Sequence, residues 1–203
     1  HHTSQGTAAW ALIELLRNPH VMASVVEELD AIYADNRKVS FQSLREIPLL
    51  EGVLKETLRM HPPLIILMRK VMTDFHYKDY TVPAGNLVAV SPAVSNRLPE
   101  PDRFDPYRYT EDRREDARNP WSWISFGGGR HKCIGSAFAM MQLKGIFSIM
   151  LRRFEFEFAH TGVGAAGELD GSAAEDELVG DGGDGDGGGG EEVGAVGRGG
   201  AAG

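Results

Sequence analysis

Only one cysteine, Cys133, stands in 203 residues. That count excludes a disulfide framework and any CxxC-type zinc or iron–sulfur site, which need several thiols at short spacing. No run of about 18 apolar residues is long enough to span a bilayer, and no signal peptide is visible. Positive charge is not in excess either: residues 1–160 carry 20 Lys and Arg against 19 Asp and Glu. A nucleic-acid-binding surface needs clustered basic residues, so that class is excluded. Aromatic residues are missing from 161–203, which hold 17 of the 25 glycines and ten acidic residues against one arginine. The net charge of −8 therefore arises there. Such a composition buries too little apolar surface to offset chain entropy, and residues 159–203 are expected to form a disordered tail. The abrupt change of composition also fits out-of-frame translation of GC-rich coding sequence.

What is present is organised as helices followed by short strands. "TSQGTAAWALIELLRNP" predicts a helix with Ala8, Leu12, Leu15 and Leu16 on one face, ended by Pro19. Residues 20–35 repeat the pattern through Val21, Val25, Leu29 and Ile32. Ser40 is placed to cap a short helix in "FQSLREI", and residues 48–61 predict a helix that opens on Pro48 and stops at Pro62 and Pro63. The runs "LIILMRKVM", "FHYKDYTVP" and "NLVAVSP" read as short strands, and residues 97–122 as a long Pro-, Asp- and Arg-rich loop. A helix from about Ile134 to Arg153 and an alternating "FEFEF" close the patterned region. The fold class expected is mainly α with a small β region over 1–158.

The lone cysteine sits in "WISFGGGRHKCIGSAF". Glycines around a thiol permit positive-φ turns and close backbone approach to a flat group, with amides aimed at the sulfur. A buried structural cysteine beside a flexible loop is the plainer alternative, and a phosphate-cradling loop lacks the Lys-Ser/Thr that should follow it. "KETLR" puts Glu56 and Arg59 three apart on one helical face amid Leu49, Leu50, Val53, Leu54 and Leu58; buried there, the pair needs further hydrogen bonds to offset its desolvation.

The pattern Phe126–x–x–Gly129–x–His131–x–Cys133–x–Gly135 resembles the haem-binding signature of the cytochrome P450 family. The resemblance covers residues 1 to about 158, corresponding to the C-terminal part of the P450 fold, and it implies haem b with Cys133 as the axial iron ligand. Arg69, Phe126, Gly127, Gly129, His131 and Gly135 are then cofactor contacts, with Arg69 and His131 reaching propionates. Glu56 and Arg59 match the E-x-x-R motif, and "EPDRFDPYRY" supplies its third member, Arg108, in a structural lock for the cysteine loop. "RLPEPDRF" is several residues shorter than usual in the family, an expected source of strain on that loop.

"HHTSQGT" aligns with the helix over the haem, whose acid–threonine pair helps deliver protons during oxygen activation; here the pair is His2 and Thr3. Histidine in place of the acid resembles the sterol 14α-demethylase branch, and a histidine can relay protons near neutral pH. His1 and His2 also match the stump of a purification tag. "HPPLIILMRK" resembles the bacterial form of that branch and offers Leu64, Ile65, Ile66, Leu67 and Met68 as substrate contacts. His20, His61, His76 and His160 show no ligand spacing and are read as solvated or loop histidines.

The resemblance implies a monooxygenase that removes a sterol 14α-methyl group as formate in three oxidations. It would use dioxygen and two electrons per cycle from a ferredoxin/reductase-type donor, and azole inhibitors are expected ligands. Bacterial relatives imply a soluble cytoplasmic protein, whereas eukaryotic ones carry an N-terminal anchor upstream of the region matched. Two alternatives stand beside this: a non-catalytic fragment that does not hold haem stably, and a P450 hydroxylase of another lipid or terpene.

Overall fold

The computed structural model describes residues 2–96, 100–158 and 193–197, with backbone only at 193–197. Residues up to Arg153 form one compact unit and those from Phe154 another. In the first, α1 (His2–Arg17), α2 (Pro19–Ile32), α3 (Pro48–Met60) and α6 (Ser136–Arg153) pack on one another, joined by the short helices α4 (Pro92–Ser95) and α5 (Glu115–Arg118). Prolines set the entries: Pro19, Pro48 and Pro92 each occupy a first-turn position, where a missing N–H costs nothing. The core contains Leu15, Val25, Leu29, Leu50, Leu54 and Phe147, all inaccessible to solvent. No helix among the described residues is long and apolar enough to cross a membrane.

The buried stripe of α1 is Thr7, Ala11, Glu14 and Leu15, one position off the expected Ala8, Leu12, Leu15 and Leu16. The rotation is tolerated because both polar groups have partners. Thr7 donates to the Thr3 carbonyl at 2.9 Å, and a carboxylate oxygen of Glu14 lies 2.9 Å from His61 Nε2. Trp10 stacks on the His61 ring at 3.9 Å and 4°. His61, read from sequence as solvated, therefore ties the end of α3 to α1. Ser40 and Ser43 do cap each other, with Ser43 N–H to Ser40 Oγ at 3.2 Å and Ser40 N–H to Ser43 Oγ at 2.9 Å. The helix they open is a single 3-10 turn, Ser43–Arg45. α3 has no side-chain cap of its own at Ile47; Glu28 of α2 accepts from Leu49 N–H at 2.8 Å and Leu50 N–H at 3.0 Å instead.

Four strands follow α3 as two antiparallel pairs: β1 (Leu67–Lys70) with β4 (Leu87–Val90), and β2 (Phe75–Tyr77) with β3 (Tyr80–Val82). In the second unit "FEFEF" is β5 (Phe154–Phe158), paired antiparallel with β6 (Val193–Gly197). The strand at 193–197, "VGAVG", was not anticipated: its two valines are three apart, without strand alternation, in a stretch whose composition predicts disorder. Residues 159–192 and 198–203 of the expected tail, with His160, lie outside the described residues.

Candidate functional site

Glu56 and Arg59 emerge on the buried side of α3, with Glu56 fully inaccessible to solvent. One oxygen of Glu56 accepts from Arg59 Nη2 at 3.0 Å, Arg108 Nε at 3.1 Å and the Asp105 N–H at 3.0 Å. The other accepts from Arg59 Nε at 2.8 Å and the Tyr109 hydroxyl at 2.9 Å. Five donors replace the water a buried carboxylate has lost, which is what makes an internal ion pair tolerable. The guanidinium groups continue outward, Arg59 to the Arg103 carbonyl at 3.1 Å and Arg108 to the Glu100 carbonyl at 2.8 Å. Burial and the adjacent Glu56 carboxylate push the Tyr109 phenol far above its usual range. Desolvation opposes the charge on Arg108, but Glu56 and Glu115 outweigh it and raise its pKa.

The expected trio of Glu56, Arg59 and Arg108 is thus assembled, and Tyr109 and the Asp105 amide join it. Arg108 reaches Glu56 despite the short preceding loop, in which Glu100 has a φ of 54° and residues 97–99 lie outside the described residues. Close approach makes the contact possible. A Cβ placed on Gly52 of α3 would lie 2.5 Å from the Pro106 carbonyl oxygen.

The cysteine loop runs from Phe126 to Gly135 and is closed by the Cys133 N–H donating to the Phe126 carbonyl at 2.8 Å. Gly127 and Gly129 have φ of 73° and 65°, the left-handed region open to glycine at little cost. A Cβ on Gly128 would press on the Trp121 ring at 3.0 Å. Cys133 is a free thiol, exposed, three residues before α6 begins. It lines a cavity of about 400 Å³ together with Thr3, Leu64, Leu67, Arg69, Phe126, Gly127 and His131. Ser4, Thr7, Leu58, Ser125, Ala139 and Leu143 complete much of the wall.

Several sequence candidates do not reach this cavity. His2 is exposed and Thr3 alone of that pair is on the wall; Gly129 and Gly135 also stand off it. Ile65, Ile66 and Met68 are 63%, 52% and 54% exposed. In β1 side chains alternate between faces, so Leu67 and Arg69 turn inward while Met68 turns out. The wall residues Ser125 and Leu143 were missed because nothing in their local pattern distinguishes them from ordinary core positions.

These residues fit a planar metal macrocycle. The thiol is uncommitted and accessible, open space surrounds a Cβ position at Gly129, and one at Gly135 would come 3.8 Å from the sulfur. Apolar walls from Leu67, Phe126, Ala139 and Leu143 suit the ring faces, and Arg69 and His131 put basic side chains on the same wall.

Comparison with known proteins gives one answer. The family model for Cytochrome P450 matches residues 1–165. A sterol 14alpha-demethylase of Mycolicibacterium vanbaalenii is 57% identical over 163 residues, covering 78% of this chain and 36% of that protein. An obtusifoliol 14-alpha demethylase of Sorghum bicolor is 43% identical over 167 residues, 77% of this chain and 34% of the relative. A lanosterol 14-alpha demethylase of Cunninghamella elegans is 32% identical over 186 residues, 77% and 36% respectively. The chain spans about a third of the length of these relatives. The cysteine signature, the assembled E-x-x-R lock and these matches agree, and the chain belongs to the cytochrome P450 family.

Proposed function

We propose that this chain is the thiolate-bearing portion of a haem monooxygenase that removes the 14α-methyl group of a sterol. The observation that carries the reading is the exposed Cys133 thiol on the wall of a cavity shared with Thr3, Arg69 and His131. The names of the relatives support the sterol as substrate. When bound, haem b with a thiolate ligand supplies dioxygen activation and oxidation of the substrate C–H bond.

The chain's own residues do the rest. Cys133 would hold the iron, the Phe126–Gly135 loop fixes the sulfur, and Arg69 and His131 would balance the carboxylates of the ring. Thr3 hands protons to the cavity, with His2 as its relay toward solvent. Leu64 and Leu67 present apolar surface to the sterol, while Ile65, Ile66 and Met68, off the cavity wall, do not. A ferredoxin/reductase-type donor, dioxygen and azole ligands follow on the same reading, as does a soluble, cytoplasmic setting.

A second reading is favoured by exposure around the thiol: Ile134 and Phe138 are 104% and 65% exposed, and Leu64 is 52%. Uncovered apolar surface near a ligand lowers its retention, so on this reading the chain carries the motifs without keeping haem. A carbon monoxide difference spectrum of the dithionite-reduced chain, expressed with haem supplied, separates the two. A thiolate-type Soret band that disappears in Cys133→Ala supports the enzyme. Haem uptake indistinguishable between the parent and Cys133→Ala, or none in either, overturns it in favour of the second reading.

A further inference from the structure

The proline that stops α3 has a second effect. Pro62 has no N–H, so the carbonyl of Leu58, four residues back, has no helical donor. The Ser125 hydroxyl fills the gap, donating to Leu58 O at 2.9 Å. A serine hydroxyl has one proton. With that proton committed, Ser125 can only accept from its other neighbour, Asn96 Nδ2, at 2.9 Å. This orients the amide of Asn96, whose Oδ1 accepts the Ile124 N–H at 2.8 Å. Asn96 is 1% exposed, so water does not substitute for the partners of its amide.

Both ends of this chain of bonds matter. Downstream, the Ile124 carbonyl accepts the Gly127 N–H at 2.7 Å and the Phe126 carbonyl accepts the Cys133 N–H at 2.8 Å. Residues 124–126 therefore transmit whatever Asn96 fixes to the thiol. Upstream, Asn96 ends α4, its own N–H donating to Pro92 O at 2.8 Å, and Ser91 just before α4 donates from its hydroxyl to Ile65 O at 2.7 Å. That segment follows β4, the partner of the strand carrying Leu67 and Arg69.

We infer that Asn96 is a positioning residue for the Cys133 loop: its amide, oriented by Ser125 and the orphaned Leu58 carbonyl, sets the thiol relative to Arg69. The functional consequence rests on Cys133 being the iron ligand; the positioning itself does not.

The side chain of Asp has nearly the same shape as that of Asn but, ionised, offers only acceptors. In Asn96→Asp it would face a Ser125 oxygen that has no proton to spare. Protonating that carboxyl restores one donor and one acceptor. The test is amide exchange by NMR on the full chain without haem. At neutral pH, Asn96→Asp should lower the protection factors of Cys133 and Gly127 roughly tenfold, as expected for a buried group left without its partner. Protection should return on acidification in Asn96→Asp, and not in Asn96→Ala. The parent and Asn96→Ala, measured at the same pH values, subtract the contribution of all other titrating groups.

If the residue-96 variants do not fold, Ser125→Thr and Ser125→Ala read the same chain. Thr keeps the hydroxyl on the cavity wall and should retain protection, while Ala should lose it. Unchanged protection at Cys133 in Asn96→Asp and Ser125→Ala overturns the inference. So does a loss shared equally with Val25 and Leu29 of α2, which marks a merely structural role. The haem-loaded spectra of the same variants are a separate arm: failure of the parent to give a thiolate-type band refutes the ligand reading, while the exchange result still decides the role of Asn96.

Discussion

Replacing Gly52 with alanine sets two known effects against each other. Gly52 lies inside α3, where alanine is favoured over glycine by about 1 kcal/mol on helix propensity alone. Its missing Cβ, however, would stand 2.5 Å from the Pro106 carbonyl oxygen, a backbone atom that cannot rotate aside. Ordinary contact begins at 3.4 Å, so the turn at Pro106–Tyr109 must retreat by most of an ångström. That turn carries Arg108 and follows Asp105, whose bonds to Glu56 are already 3.1 and 3.0 Å long. Overpacking of this kind costs about 1–3 kcal/mol, and each weakened hydrogen bond to a charged group up to about 1.5–3 kcal/mol. After the propensity gain, Gly52→Ala should destabilise by about 2 kcal/mol. Gly145→Ala in α6 and Gly6→Ala in α1 are the controls, because nothing lies within 4 Å of a Cβ at either site; each should stabilise by about 0.5–1 kcal/mol. Urea unfolding followed by tryptophan fluorescence measures all three, with equal m-values as the check on comparability. A Gly52→Ala chain at least as stable as the parent would refute the close-packing argument.

Glu56→Gln should cost about 3–5 kcal/mol, because two buried guanidinium groups lose their central counter-charge; a loss under about 1 kcal/mol in urea melts counts against the lock. Tyr109 ionises far above its ordinary value of 10.0 in the folded chain, through burial and the Glu56 carboxylate. Its contribution is therefore complete below that value and lost as pH rises past it. Alkaline melts should show that decline in the parent and not in Tyr109→Phe, and Tyr109→Phe should lower phenolate absorbance by one phenol in the unfolded chain but not in the folded one. Glu51 is desolvated, but Lys144 at 2.7 Å and Lys55 at 3.4 Å outweigh this and hold its carboxyl below the usual 4.5. Its stabilisation is present above that value and lost as pH falls through the depressed one. Lys144→Met should flatten this acid slope by no more than about 1 kcal/mol, since Glu51 is partly exposed, and salt should shrink the difference.

Much of this was legible in the chain because glycine, proline and cysteine act locally. Pro48 and Pro62 bound α3 to within a residue of the expected span, and the four strands lie where the β-branched runs put them. The pairing of Glu56 with Arg59 needs only helical spacing, and Arg108 was reachable through the resemblance. The misses are non-local. Glu14 is buried because His61, 47 residues away, meets it, which no periodicity in α1 signals. Asn96 and Ser125 are 29 apart, and Gly52 is understandable only once Pro106 is seen beside it. Ile65, Ile66 and Met68 look like wall residues in a one-dimensional apolar run, yet only Leu64 and Leu67 of that run line the cavity.

The five donors on Glu56 bear on how this region can form. They come from α3 itself and from residues 105, 108 and 109, up to 53 positions later in the chain. A carboxylate with only its helical partner is buried at a loss, so α3 gains little from packing its inner face before the Pro106 turn arrives. The turn, for its part, buries Arg108 against Glu56 as well as Glu115 and the Glu100 carbonyl. Helix and turn should therefore open and close as one cooperative unit, and residues 105–109 are part of the structural support of α3 rather than a loop laid over it.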